Sequence, residues 1–315
     1  MIPDSLFQRA AQTIREGGLV SFPTETVYGL GANALDAAAV AGIFEIKGRP
    51  RFDPLIVHIA SSEGLSQLVI AVPSPARELI RRFWPGPLSL VLPKRPVVPD
   101  IVTAGLAQVA VRCPAHDVAR ALIEAAGVPI AAPSANRFGC VSPTTADHVR
   151  EQFGDQLEIV LDAGPCDIGV ESTVVSFVEP QPMLLRPGGV TLEEIERVVG
   201  PVSIAPTDDV QPVSPGQLSR HYAPSTPLVV SDQRLTLPPS KRYGLLTFQP
   251  ADDGERFAAI EVLSPSGSMR EAASNLFAAL RRLDAANLDG IVARPVPEVG
   301  LGRAIMDRLR RAAAR

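Results

Sequence analysis

Short polar islands interrupt apolar runs through the first two thirds of the chain, each beside a predicted strand. Four carry the pattern: Pro23-Thr24-Glu25-Thr26-Val27-Tyr28-Gly29, Lys47-Gly48-Arg49-Pro50, Pro133-Ser134-Ala135-Asn136 and Glu171-Ser172-Thr173. Apolar runs this short suit buried strands, and segments of helical period lie between them. That alternation predicts an α/β chain. Ligands of such folds often bind just past the carboxyl ends of strands. Hydroxyls, an amide, a lysine and arginines recur there, with no obvious nucleophile–base pair and no metal-ligand cluster. The inventory suits holding a charged, phosphate-bearing ligand rather than attacking a substrate with a side chain.

The spacing predicts helices over 5–16, 36–47, 74–83, 117–126, 144–153 and 192–199. Strands are predicted over 19–22, 54–59, 88–92, 109–112, 129–132, 158–161, 173–177 and 183–185. Alternation puts Ile56 and His58 on one face, opposite Leu55, Val57 and Ile59. Gln108, Ala110 and Arg112 likewise share a face. The stretch 201–227 is rich in Pro, Ser, Thr and Asp and reads as a linker. Beyond it, strands over 228–230, 243–246, 260–263 and 290–293 alternate with helices over 269–285 and 302–313. The expected organisation is an α/β domain at 1–200, a linker at 201–227 and a small α/β domain at 228–315. With 315 residues, 46% of them hydrophobic, the chain can fill two cores.

The net charge of −4 argues against a globally basic nucleic-acid binder and leaves a local basic cleft open. Cys113, Cys140 and Cys166 are too far apart for a zinc site or a disulfide framework, which fits a reducing cytoplasm. The first residues, with Asp4, Arg9, Arg15 and Glu16, do not form a signal peptide. No apolar run is long enough to cross a membrane.

Each candidate has a plain structural reading beside the functional one. The turn at Thr24–Gly29 can orient a polar ligand or simply satisfy its own backbone. Lys47 and Arg49 can clamp phosphates or complement a helix dipole. His58 can contact substrate or be a satisfied core histidine. Arg112, at a strand end among apolar neighbours, needs an anion from a ligand or from the protein. Ser134 and Asn136 lie past a strand end or form a capping turn. Ser142 or Thr144 can cap the helix over 144–153. The turn at Arg186 can hold a phosphate or stay exposed. Arg303, Arg308, Arg310, Arg311 and Arg315 on the terminal helix can touch RNA or form a solvated basic end.

Taken in order, the islands resemble the Sua5/YrdC/YciO family in its longer form, which has an extra C-terminal domain. The matching stretches run from Phe22-Pro23-Thr24-Glu25-Thr26-Val27-Tyr28-Gly29-Leu30 through Lys47-Gly48-Arg49-Pro50 and Pro54-Leu55-Ile56-Val57-His58. They continue through Trp84-Pro85-Gly86-Pro87-Leu88, Val111-Arg112, Ala132-Pro133-Ser134-Ala135-Asn136, Glu171-Ser172-Thr173-Val174-Val175 and Leu185-Arg186-Pro187-Gly188. Ser214-Pro215-Gly216 and His221-Tyr222-Ala223-Pro224 extend them into the linker.

The resemblance implies an open, twisted sheet of mixed strand directions, followed by a small Rossmann-like domain. It implies an enzyme that joins L-threonine, bicarbonate and ATP into threonylcarbamoyl-AMP and diphosphate, with magnesium accompanying ATP. Other proteins would then transfer the threonylcarbamoyl group to adenosine 37 of tRNA, in the cytoplasm. By motif, Thr26, His58, Arg112 and Ser172 would hold threonine. Lys47, Arg49, Ser134, Asn136, Ser142 and Arg186 would contact the nucleotide, and His221 and Tyr222 would belong to a lid. No protein metal ligand is implied. Three positions depart from the family's pattern: Asp53 replaces a frequent Asn, Gln217-Leu218-Ser219-Arg220 replaces a Lys-Tyr pair, and Gln108 replaces a frequent Thr. A non-catalytic tRNA-binding or double-stranded-RNA-binding protein of the same fold is the alternative expectation.

Overall fold

The computed structural model describes residues 2–206, 216, 221–233, 235–238 and 240–314. The altered stretch Gln217-Leu218-Ser219-Arg220 and Arg315 lie outside the described residues.

Nine strands form the first sheet. They are β1 (Val20–Phe22), β2 (Gly29–Asn33), β3 (Ile56–His58), β4 (Leu88–Pro93), β5 (Gln108–Arg112), β6 (Ile130–Ala131), β7 (Thr173–Ser176), β8 (Met183–Arg186) and β9 (Ser203–Ile204). Their order is β1-β2-β6-β3-β5-β4-β7-β8-β9. Strands β3 and β5, β4 and β7, and β8 and β9 pair in parallel, and the other neighbours are antiparallel. The sheet is therefore mixed, as expected. A second sheet of four strands, β10 (Leu228–Val230), β11 (Tyr243–Thr247), β12 (Ala259–Val262) and β13 (Gly290–Ala293), is parallel throughout in the order β10-β13-β11-β12.

The alternation expected in β3 and β5 is observed. Leu55, Val57, Ile59, Val109 and Val111 enter the main apolar core with Leu30 and Leu90. Ile56 and Ala110 pack on the opposite face with Val91, Val174 and Leu185. That second face puts Ile56, His58 and Arg112 into a cleft.

Local chemistry sets the ends of the elements around it. Asp36 caps the helix Ala37–Lys47 by accepting from the amides of Ala38 and Ala39 at 2.8 and 3.2 Å. The helix Leu192–Val199 starts with a capping box between Thr191 and Glu194. Thr145 caps the helix Ala146–Phe153, so neither Ser142 nor Thr144 takes that role.

Three strand segments differ from expectation. The segment 158–161 makes only one isolated bridge, Ser21 to Val160. Ser21 bonds Ile159 and Leu161 through its backbone, at 2.9 Å each. The next residue in register on that strand is Pro23, which has no N–H to continue a ladder. Strand β2 was hidden because Gly29 and Gly31 carry no strand propensity. A Cβ on Gly31 would lie 2.7 Å from both Phe22 and Ile130, so close packing selects glycine there. Strand β9 extends the first sheet beyond the expected boundary at residue 200.

In the second unit, the helices Met269–Asp284 and Leu301–Ala313 bury Leu276, Phe277, Leu280, Ile305 and Leu309. Val27, Val141, Val170 and Tyr222 join this same core, so loops of the first sheet pack against the second unit. No helix among the described residues is long and apolar enough to cross a membrane.

Candidate functional site

The cleft lies between the Thr24–Gly29 turn, the ends of β3 and β5, the turn at Pro133-Ser134, and the Glu171-Ser172 and Arg186 loops. Gly216, His221 and Tyr222 also line it. It brings together Thr26, Arg49, His58, Arg112, Ser134, Ser172, Arg186, His221 and Tyr222. Lys47, Asn136 and Ser142 stand behind its walls. The Lys47 ammonium donates to the Ser134 carbonyl at 2.6 Å and to the Asn136 carbonyl. Burial and the nearby Arg49 push its pKa well down. The Asn136 amide nitrogen donates to the carbonyls of Arg137 and Cys140 at 2.7 and 2.9 Å. The Ser142 hydroxyl donates to Glu171 Oε1 at 2.6 Å.

Arg112 finds its anion in the protein. Its Nη2 lies 2.6 Å from Glu25 Oε1, with both side chains under a tenth exposed. Its Nη1 donates to Thr26 Oγ1 at 2.9 Å, and its Nε donates to the Gly86 carbonyl at 3.2 Å. Thr24 shares a hydrogen bond with Thr26 at 2.8 Å and donates to the Val27 carbonyl at 2.6 Å. His58 is in register with Arg112 across the β3–β5 pair. Its Nδ1 has no hydrogen-bond partner among the described residues.

Asp53 is paired. Its Oδ2 lies 2.9 Å from Arg49 Nη2, deep in the protein. Arg49 also donates to the carbonyls of Asp53 and Pro54, at 3.1 and 2.9 Å. Burial pushes the Asp53 carboxyl up, against the pull of Arg49, Lys47 and Arg186. A carboxylate that would repel phosphate is thereby compensated. Gln108 opens β5 at the end opposite Arg112 and does not line the cleft.

Arg186 donates from Nε and Nη2 to the Ser172 carbonyl, at 3.2 and 2.9 Å, and from Nη2 to the Ser172 hydroxyl at 3.1 Å. That hydroxyl also bonds Ser89 Oγ at 2.8 Å. The Arg186-Pro187-Gly188 loop lies flat on Glu171-Ser172. A Cβ on Gly188 would sit 2.3 Å from the Glu171 carbonyl, so no side chain fits.

His221 packs its ring against Tyr222 and Phe138, at centroid distances of 4.1 and 5.9 Å. Tyr222 holds a positive φ of 61°, unusual for a bulky residue. Its ring stacks on Phe277 at 5.7 Å and carries the Arg308 guanidinium at 5.1 Å.

Among the described arginines of the terminal helix, Arg308 and Arg311 are buried, Arg303 is half-buried and Arg310 stays exposed, so the expected solvated basic end holds only in part. Arg308 is fully buried and bonds Glu171 Oε2 at 2.8 Å. Arg311 pairs with Asp307 at 2.9 Å, Arg303 with Glu193 at 3.5 Å, and Arg310 with Glu298. The charges of the helix meet carboxylates from several elements: Asp307 on the same helix, Glu193 on the helix Leu192–Val199, and Glu171 and Glu298 on loops.

Glu25, Glu171 and Thr24 were not singled out as structural anchors by the sequence. Their islands were visible, but the Arg112 and Arg308 partners lie far along the chain. Among the described residues no group of three or more His, Cys, Asp or Glu could hold a metal ion.

The buried histidines give the protein a pH signature. Burial, then Arg112, pushes His58 down to about 3, and burial, then Arg281, pushes His148 down to about 4. Burial, then the surrounding Arg49, Lys47 and Arg186, pushes His221 well below its usual value. All three stay neutral in the fold, whereas in the unfolded chain they charge below about pH 6.5. Stability is therefore full above that pH and falls as pH drops toward the folded values. Urea unfolding is expected to show a loss of about 2 kcal/mol from His58 alone between about pH 7.5 and about pH 5. An unchanged midpoint across that window would contradict the neutral, buried histidines.

Residues 12–188 match the Sua5-YciO-YrdC family model, described as telomere recombination. Residues 190–314 match the model of the threonylcarbamoyl-AMP synthase C-terminal domain. The chain is 50% identical to the threonylcarbamoyl-AMP synthase of Pyrococcus abyssi (strain GE5 / Orsay), covering 96% of this chain and 92% of that protein. It is 43% identical to the threonylcarbamoyl-AMP synthase of Bacillus subtilis (strain 168), covering 98% and 93%. A crystal structure of P. abyssi Sua5 complexed with L-threonine superposes with a TM-score of 0.92 at 47% identity, over 99% of this chain and 95% of that one.

Proposed function

The chain belongs to the Sua5/YciO/YrdC family, and from that premise we propose that it forms threonylcarbamoyl-AMP and diphosphate from L-threonine, bicarbonate and ATP. One observation carries the reading. The cleft collects arginines and hydroxyls from loops and strand ends across the first sheet, and among the described residues no serine or threonine hydroxyl that lines it is hydrogen-bonded to a histidine.

The chemistry suits such a cleft because the substrates supply the nucleophile. The threonine amine and bicarbonate form N-carboxythreonine with loss of water. A carboxylate oxygen of that species attacks the α-phosphorus, the new P–O bond forms, and the bond to the β-phosphate oxygen breaks to release diphosphate. The protein must align these reactants, exclude water and neutralise phosphate charge.

Arg112 would meet the threonine carboxylate, with Thr26, His58 and Ser172 fixing the rest of the amino acid. His58 stays neutral there, and its Nδ1 has no partner among the described residues. Arg49, Ser134 and Arg186 would contact the nucleotide directly. Lys47, Asn136 and Ser142 would support it from behind the wall. Magnesium would arrive with ATP and offset phosphate charge. It would be held by phosphates and water, because Asp53 and Glu171 are engaged by Arg49 and Arg308. His221 and Tyr222 would act as part of a lid that opens for exchange.

The product would pass to threonylcarbamoyl-transferase proteins that modify tRNA in the cytoplasm. The free thiols of Cys113, Cys140 and Cys166 agree with such a compartment. The RNA-binding alternative loses support because Arg303, Arg308, Arg310 and Arg311 are paired with carboxylates of the protein.

The test is diphosphate release from ATP with threonine and bicarbonate each present or omitted, and serine as a control. Release that needs both substrates is the expected result. Release indifferent to threonine would overturn the assignment.

A further inference from the structure

Arg308 has no solvent exposure. It belongs to the terminal helix Leu301–Ala313, outside the sheet that carries the cleft. Its Nε donates to Glu171 Oε2 at 2.8 Å. Its Nη1 donates to the Pro187 carbonyl at 2.8 Å and to Asp307 at 2.6 Å. Its guanidinium carbon lies 5.1 Å from the centre of the Tyr222 ring.

Three of these contacts end on a wall of the cleft. Glu171 lines it and takes the Ser142 hydroxyl on its other oxygen. Pro187 follows Arg186 in the loop that presents that arginine. Tyr222 lines it from the linker side.

The electrostatic consequence is direct. Glu171 places a carboxylate in the wall of a cleft that must accept a triphosphate, and like charges in a low-dielectric wall repel strongly. Arg308 cancels that charge from the far side. An arginine does this better than a lysine, because its planar fork can bond two acceptors and lie on an aromatic ring at once.

We propose that Arg308 is a positioning residue for the nucleotide. It neutralises Glu171, fixes the Arg186 and Tyr222 walls and, through Glu171, holds Ser142 behind them, so ATP affinity runs through the second unit of the chain. The inference rests on the function proposed above.

The test uses the full chain. ATP affinity is measured by calorimetric titration and threonine KM by diphosphate release. Arg308→Gln is expected to weaken ATP binding by about tenfold or more while threonine KM moves less than about threefold. The double variant Arg308→Gln/Glu171→Gln, which removes both charges, is expected to recover ATP affinity to within about threefold of the unmodified chain. Arg308→Lys keeps the charge without the fork and is expected to lose about threefold.

Equal losses for ATP and threonine in Arg308→Gln would overturn the proposal. So would a double variant that stays weaker than threefold, and that arm decides the matter if Arg308→Gln alone does not fold. An unmodified chain that binds ATP without threonine-dependent release would overturn the function instead, and the ATP titrations would still read Arg308.

Discussion

Arg112→Ala is expected to lower threonine-dependent diphosphate release by about 100-fold or more and to destabilise the protein by about 3–5 kcal/mol. Both effects follow from one geometry. The guanidinium sits 2.6 Å from Glu25 and also holds Thr26 and the Gly86 carbonyl. Removing it takes away the cation proposed for the threonine carboxylate and leaves Glu25 buried without a partner. A drop in activity alone would therefore not separate binding from folding. Arg112→Lys separates them, since it keeps a positive charge near Glu25 and loses the fork. It should retain most of the stability and raise threonine KM by about tenfold or more, with ATP affinity unchanged. Arg112→Met combined with Glu25→Gln removes the whole pair and should fold while losing threonine dependence. Unchanged threonine KM in both variants would sink the carboxylate assignment and leave Arg112 as a structural partner of Glu25.

That dual role marks where the sequence stops being informative. The strand face shared by Ile56 and His58, and that shared by Ala110 and Arg112, could be read from alternation. Both were correct because the main core needs the other face. Strand β2 was invisible because its glycines answer to the Phe22 ring rather than to propensity. The segment 158–161 looked like a strand by composition, but a proline in its neighbour ends the ladder after one bridge. Most of the residues that line the cleft were legible because they cluster at strand ends in distinctive islands. Their charge partners were not. Glu25 with Arg112, Asp53 with Arg49, and Glu171 with Arg308 are pairings of the folded state, and two of the three join residues far apart in sequence. The terminal arginines show the cost of that blindness. Read by composition they are a basic end, and read in the fold they are one half of an ion-pair network.

The Asp53–Arg49 pair yields the second large effect, because the two charges act in opposite senses on an anion. Arg49, Lys47 and Arg186 all act on the Asp53 carboxyl, so it is the negative member of a cationic wall. Asp53→Asn keeps the shape and removes the charge. Without nucleotide, the remaining cations repel one another and Arg49 loses its buried counter-ion, at an expected cost of about 3 kcal/mol. With ATP present the sign reverses. The phosphates replace the lost carboxylate, and a like charge no longer opposes them. ATP affinity should rise by about tenfold or more, and ATP should raise the melting temperature of Asp53→Asn by more than it raises that of the unmodified chain. Thermal unfolding with and without ATP, beside a direct titration, reads both halves. Weaker ATP binding in Asp53→Asn would show that the carboxylate serves the nucleotide by orienting Arg49, and that its charge is not a penalty the cleft tolerates.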